Sequence, residues 1–243
     1  MTLRGKLFGV GVGPGDPELM TLKAARVLAT APVTAFFSKR GKTGHARSIA
    51  NDFLNPKTNE IRLHYPFTTE MDLKDPRYQT EMIRFYDVCA EQLESQLLDG
   101  KDVAVLCEGD PFFYGSFMYI FDRLRSSFVV EVIPGVTGMS ACWTRAMQPI
   151  THGDDVLVVL PATLPEEALV ERLIGADAAV FMKVGRNLAK IRSALIRSGL
   201  LDRAFCIEQG SMPNERISRM IDKTDDDAGY FTIVLVPGRQ RQR

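Results

Sequence analysis

Two carboxylates flank a single glycine in Cys107-Glu108-Gly109-Asp110-Pro111. Paired acids can move protons, bind a ligand's hydroxyl groups or hold backbone amides. Their place on either side of a glycine in a turn favours the last two uses. The residues before them, Val103 to Cys107, form a continuous apolar run, which reads as a strand buried on both faces of a parallel sheet. Gly109 lets the backbone turn without a Cβ and lets a ligand approach the chain. Asp110-Pro111 is expected to be an N-cap and first helical residue, opening a helix from Phe112 to Leu124. The two acids thus stand at the carboxyl end of a buried strand, where open α/β sheets bind ligands. A strand-to-helix turn with a solvated cap accounts for the same residues.

Two more glycine-rich turns follow apolar runs, Gly13-Pro14-Gly15-Asp16 and Pro134-Gly135-Val136-Thr137-Gly138. The first lies in Gly9-Val10-Gly11-Val12-Gly13-Pro14-Gly15, which imitates a dinucleotide fingerprint and fails it. Counting from Gly9 the third glycine falls on Pro14, and counting from Gly11 it falls on Asp16. The second strand ends in Ser38-Lys39-Arg40, with no acid to hold a ribose. Gly41-Lys42-Thr43 imitates the end of a phosphate-binding loop, but the glycine required five residues earlier is Phe36. No nucleophile elbow and no Ser/His/Asp or Cys/His set can be argued. Three isolated histidines and four scattered cysteines give no metal-ligand spacing. The three turns together describe a cleft floored by backbone and small side chains, suited to a small molecule that approaches closely.

Alternating strands and helices must position these turns. Strands are expected over Lys6 to Val12, Val33 to Phe37, Glu60 to Tyr65 and Phe128 to Ile133. Helices are expected after Asp16, over Ser48 to Leu54, and over Tyr78 to Leu98, where apolar residues recur at helical spacing. Gln148 to Asp155 breaks the pattern, so a domain boundary is placed after Ile150, giving domains 1–150 and 151–243. The second part reads as strand, helix, strand, helix, strand. An antiparallel pair, Arg216 to Ile221 with Tyr230 to Val236, closes it. The fold class is α/β, with two α/β domains and mixed sheets.

The chain has 243 residues, 30 basic and 30 acidic, for a formal net charge of zero. That balance argues against nucleic acid or an anionic membrane as partner. The N-terminus lacks a signal-peptide pattern, no apolar run is long enough to span a bilayer, and the cysteines form no C-x-x-C pair. A cytoplasmic protein with reduced thiols is expected.

Taken in order, the motifs resemble the tetrapyrrole methylase family. The matching residues are Gly11-Val12-Gly13-Pro14-Gly15-Asp16-Pro17 with Leu22, Gly109-Asp110-Pro111 with Tyr114-Gly115, and Ile133-Pro134-Gly135-Val136-Thr137. Phe181-Met182-Lys183-Val184-Gly185, Glu208-Gln209-Gly210 and Tyr230-Phe231-Thr232 continue the set. Each motif is weak alone, whereas the ordered set covers essentially the whole chain. The resemblance implies two α/β domains with S-adenosylmethionine folded into a trough between them, S-adenosylhomocysteine as product, a tetrapyrrole substrate and a homodimer. It places cofactor contacts on Pro14, Glu108, Gly109, Asp110, Phe113, Thr137, Gly138 and Met182, and near Gly210. Methyl transfer from a sulfonium needs no protein nucleophile, consistent with the absence of one. A base acting elsewhere on the ring would be Glu108 or, behind it, Tyr114. Lys39, Arg40, Lys42 and Arg47 are candidates for the substrate's carboxylates, with Arg77 and Lys183 behind them. A solvated charge run explains the same basic loop, and a non-catalytic S-adenosylmethionine-binding protein is the reading from another class.

Overall fold

A computed structural model describes residues 4–67 and 75–239. The chain forms two compact units that divide between Thr137 and Gly138.

The first unit is built on five parallel strands: β1 (Leu7–Gly11), β2 (Val33–Ser38), β3 (Asn59–His64), β4 (Val103–Cys107) and β5 (Val130–Ile133). They lie in the order β3-β2-β4-β1-β5. A parallel sheet needs cover on both faces, and the period-two alternation of its strands supplies two apolar surfaces. Val10, Ala104, Leu106 and Ile133 face helices α1 (Leu22–Leu28) and α2 (His45–Ile49) through Ala24, Leu28, Ala46 and Ile49. Leu7, Val33, Ala35, Val103 and Val105 face α3 (Pro76–Leu98) and α4 (Phe117–Leu124) through Tyr86, Leu93, Leu97, Phe117 and Ile120. Each large side chain fully buried here contributes roughly 1.5–3 kcal/mol.

The second unit opens with α5 (Gly138–Arg145). It continues through β6 (Leu157–Pro161), α6 (Glu166–Leu173), β7 (Ala178–Met182), α7 (Leu188–Arg197), β8 (Phe205–Glu208), β9 (Arg216–Arg219) and β10 (Thr232–Val236). Its sheet is mixed, in the order β6-β7-β10-β8-β9. β6 and β7 are parallel, and β10 runs antiparallel to both β7 and β8. One face packs on α6 and α7 through Leu169, Leu173, Leu188 and Ile191. The other packs on α5 through Cys142, Met139 and Trp143. That contact explains why the division precedes α5 instead of following Ile150.

Several elements differ from their sequence expectation. The helix after Asp16 is two pieces. Asp16 caps a short 3-10 turn, Pro17–Leu19, through the Glu18 amide, and Thr21 then caps α1 through the Ala24 amide. Helix α2 begins at His45, ahead of Ser48. Residues 216–219 and 232–236 do not pair with each other. β9 pairs with β8, and β10 inserts between β7 and β8. The reason is compositional: Thr-Ile-Val-Leu-Val is buried throughout and suits a central position, whereas Arg-Ile-Ser-Arg suits a charged edge. The sequence from Pro66 to Pro76 reads as irregular and polar, and residues 68–74 of it lie outside the described residues.

Gly9 marks where the first core is tightest. A Cβ there would stand 2.3 Å from Cε1 of Phe117. Gly9→Ala is therefore expected to cost roughly 1–3 kcal/mol through overpacking. Gly229→Ala, where a Cβ meets nothing within 4 Å, is expected to stay within about 0.5 kcal/mol of the parent. Urea unfolding followed by circular dichroism measures both.

Candidate functional site

The chain leaves β1 toward the α1 face of the first sheet and leaves β4 toward the α4 face. β1 and β4 are neighbours, so their outgoing segments part in opposite directions. That divergence is the topological switch point at which open α/β sheets accept ligands. The turns containing Pro14 and Glu108 to Asp110 both start there.

These turns are bonded to each other. The Gly109 N–H donates to the Gly13 carbonyl at 2.8 Å, forming an isolated antiparallel bridge, and Val12 N–H donates to Cys107 O at 2.9 Å. Gly13 and Gly109 have φ of 85° and 64°, the left-handed region where glycine is unstrained. The third turn packs on the same point. A Cβ on Gly135 would lie 2.0 Å from Gly109 O, and one on Gly11 would lie 2.7 Å from it. The packing requires the absence of a Cβ at Gly11 and Gly135, while Gly109 supplies the left-handed turn.

Asp110 is the tie. Its Oδ2 accepts the Gly135 N–H at 3.2 Å and its Oδ1 accepts the Phe112 N–H at 2.9 Å. It is not the cap of α4, which begins only at Phe117. Tyr114, at φ 56°, and Gly115, whose added Cβ would stand 2.9 Å from Pro111 O, bend the chain before the helix can start. Phe113 is half-buried within this bend, its ring 4.9 Å from that of Tyr114.

Glu108 reaches the other way. Its Oε1 accepts the Ala46 N–H at 3.2 Å and caps the first turn of α2, whose own N-cap, Gly44, has no side chain to do so. The surrounding protein pushes its pKa up to about 7, against the lowering pull of that amide bond. The side chain is nevertheless open to solvent. It is a recessed carboxylate, crowded but reachable, with an oxygen that no described protein group holds.

In the second unit, Met182, Gly138 and Gly210 share the α5 face of the sheet. Met182 ends β7 and packs with Cys142, Ile207 and Ile233. Gly138 opens α5, where a Cβ would stand 3.5 Å from Ile233 Cδ1. A Cβ on Gly210 would stand 2.7 Å from Cys142 Sγ. β7 and β8 run in the same direction, so their carboxyl ends share an edge. Each is followed by a non-glycine residue in the left-handed region, Lys183 at φ 57° and Gln209 at φ 52°. Such residues cost about 1–3 kcal/mol each and cluster at functional positions. Thr137 is the last residue of the first unit.

The four basic candidates do not act as one set. Lys39, Arg40 and Lys42 are exposed on a turn closed by Lys42 N–H to Lys39 O at 3.0 Å. Arg47 is instead held by Glu60 at 2.7 Å and Asn51 at 3.0 Å, with its side chain one-fifth exposed. Arg77 pairs with Asp75 at 2.8 Å. Lys183 has its pKa lowered by burial. The sequence reading missed the Ala46 amide as partner of Glu108 and a hydroxyl cluster around Ser116. Each depends on residues far apart in the chain. Among the described residues, no group of three or more His, Cys, Asp or Glu could hold a metal ion, and no helix is long and apolar enough to cross a membrane.

These features describe an α/β protein whose three glycine turns meet at the carboxyl ends of β1, β4 and β5. Residues 6–220 match the model of the tetrapyrrole (corrin/porphyrin) methylases. A precorrin-2 C(20)-methyltransferase of a Sinorhizobium species is 51% identical over 234 residues, covering 96% of both chains. A cobalt-precorrin-2 C(20)-methyltransferase of Salmonella typhimurium is 29% identical, over 96% of this chain and 97% of that one. A crystal structure of uroporphyrin-III C-methyltransferase from Thermus thermophilus, complexed with S-adenosyl homocysteine, superposes with a TM-score of 0.65. It is 23% identical and covers 95% of this chain and 97% of that one. The chain belongs to the tetrapyrrole methylase family.

A raised carboxyl pKa means that the folded state holds the Glu108 proton more tightly than the unfolded state, in which the group titrates near 4.5. Stability therefore falls as pH rises from about 4.5 to about 7. Glu108→Gln keeps an acceptor for Ala46 and removes the titration. Thermal unfolding across that pH range is expected to show the parent losing stability relative to Glu108→Gln as pH increases.

Proposed function

We propose that the chain transfers a methyl group from S-adenosylmethionine to carbon 20 of precorrin-2, forming precorrin-3A in cobalamin biosynthesis. The observation that carries this reading is the 51% identity to a precorrin-2 C(20)-methyltransferase over 96% of both chains. The sequence features that pointed the same way are Leu106 to Phe117, Met182-Lys183-Val184-Gly185-Arg186-Asn187, and the long stretch between Pro66 and Tyr78.

The cofactor fits the donor set. A reachable carboxylate can accept bonds from ribose hydroxyls, and Glu108 supplies one at the carboxyl end of β4. Pro14, Gly109, Asp110 and Phe113 then form the walls on the first unit, with Thr137 beside them in sequence. Gly138, Met182 and Gly210 are the second unit's residues that the family resemblance assigns to the cofactor. Bound S-adenosylmethionine supplies a methyl already activated by its sulfonium. The protein's part is to orient this methyl toward an electron-rich meso carbon and to exclude water. With its raised pKa, Glu108 also suits proton removal elsewhere on the ring, with Tyr114 as the alternative.

Precorrin-2 carries many carboxylates, and Lys39, Arg40 and Lys42 are the exposed cations we assign to them. Arg47 leaves this set because Glu60 and Asn51 hold it. The four buried free cysteines fit a cytoplasmic, reducing location. Assembly is read as a homodimer, as the family resemblance implies. The Salmonella relative's name supports a second substrate, the cobalt-loaded ring.

Incubation with precorrin-2, with and without cobalt, and a methyl-labelled donor decides the reaction. Label at carbon 20 of the metal-free ring is expected, and label at another carbon rejects the assignment. Faster turnover of the cobalt-loaded ring selects the second substrate. Changing Arg40 and Lys42 together to Ala is expected to raise KM for the tetrapyrrole about three- to tenfold, the range of a few exposed charge contacts. Arg47→Ala is expected to lower thermal stability and leave that KM unchanged.

A further inference from the structure

Ser116 occupies the N-cap position of α4, yet its side chain makes no capping bond to the helix. A serine used as a cap stabilises a helix by about 1 kcal/mol. Here the hydroxyl goes elsewhere. Ser116 Oγ lies 2.6 Å from the Tyr65 hydroxyl and 3.0 Å from the Tyr86 hydroxyl. A serine hydroxyl donates one bond and accepts two, so it can serve both phenols at once.

Both phenols are themselves fixed. Tyr65 directly follows β3 and stacks on Phe37, with centroids 5.4 Å apart and planes at 23°. Tyr86 belongs to α3, is 5% exposed and stacks on Tyr119 at 4.4 Å and 25°. Burial pushes the Tyr86 phenol well above its ordinary pKa, so it remains an O–H group. The serine is therefore gripped by two rings anchored in separate elements of the first unit.

The segment that needs such a grip lies just before it. Residues 110–116 contain Tyr114 in the left-handed region and a Gly115 whose Cβ would press on Pro111 O. Conformations of this kind persist only where the surroundings over-determine them. Asp110 fastens the beginning of the loop through Phe112 and Gly135. Ser116 fastens its end through the two phenols, while Phe112 packs on Phe121 of α4 at 4.9 Å.

We propose that Ser116 is a positioning residue: held by Tyr65 and Tyr86, it sets where Phe113 and Tyr114 stand beside the Gly109-Asp110 turn, and so sets the affinity for the S-adenosyl group. This rests on the cofactor reading given above. It also gives Tyr65 and Tyr86 a part in cofactor binding without contact to the cofactor.

The full-length chain, Ser116→Ala, Ser116→Thr and Tyr65→Phe can be compared by S-adenosylhomocysteine titration, by KM for each substrate and by amide hydrogen exchange without ligand. Ser116→Ala is expected to weaken S-adenosylhomocysteine binding about tenfold and to raise KM for S-adenosylmethionine by a similar factor, with KM for the tetrapyrrole unchanged. Exchange at residues 112–115 should accelerate. Tyr65→Phe should give a smaller loss of the same kind, and Ser116→Thr, which keeps the hydroxyl, should bind within about twofold of the parent. A drop in melting temperature with affinity and exchange unchanged in Ser116→Ala overturns the inference and leaves the cofactor reading standing. Failure of the parent chain to bind S-adenosylhomocysteine overturns the cofactor reading itself and the affinity claim with it.

Discussion

The carboxylate of Asp110 is the constraint on which the site depends. It takes one amide from its own loop and one from the turn after β5, and so fixes the spacing of two chain segments that the sheet alone leaves unjoined. Hydrogen bonds from amides to an ionised carboxylate contribute about 1.5–3 kcal/mol. The Phe112 bond closes a turn at the start of the loop, Tyr114 and Gly115 bend the chain after it, and α4 begins at Phe117. Residues 111–116 stand ahead of the helix as a bent loop.

Close packing of the three turns follows from glycine, for two separate reasons. Gly13 and Gly109 supply backbone conformations that a side chain resists. Gly11 and Gly135 supply the absence of a Cβ where Gly109 O approaches. The result is a floor made of backbone at the point where α1 and α4 depart to opposite faces. A strand order of β3-β2-β4-β1-β5 is what puts those two departures side by side.

Much of this was legible in the chain because local signals were strong. The run Val103 to Cys107 reads as a doubly buried strand, and it is β4. The helical period from Tyr78 to Leu98 became α3, beginning two residues earlier at Pro76. The three glycine turns sit at strand ends as expected. What local signals could not give was the partner of each polar group. Asp110-Pro111 has the composition of a helix start, yet the second Asp110 oxygen finds the distant Gly135 amide and the bend at Tyr114 and Gly115 delays the helix to Phe117. Arg47 looked like part of a basic loop until β3 placed Glu60 beside it. The order of β8, β9 and β10 is likewise a matter of competition for the centre of the sheet, which no hairpin pattern in the sequence expresses.

Glu108 and Asp110 show how one motif divides its labour. They are two residues apart on a turning chain, so their side chains leave in different directions. Asp110 has both oxygens engaged by amides. Glu108 spends one oxygen on Ala46 and keeps its side chain open to solvent. Its pKa, raised to about 7, lets it change charge under ordinary conditions. A group that both caps α2 and titrates near neutrality links its protonation to the helix that follows the basic turn at Lys39 to Lys42. The charge of Glu108 and the first turn of α2 are therefore joined through the Ala46 amide.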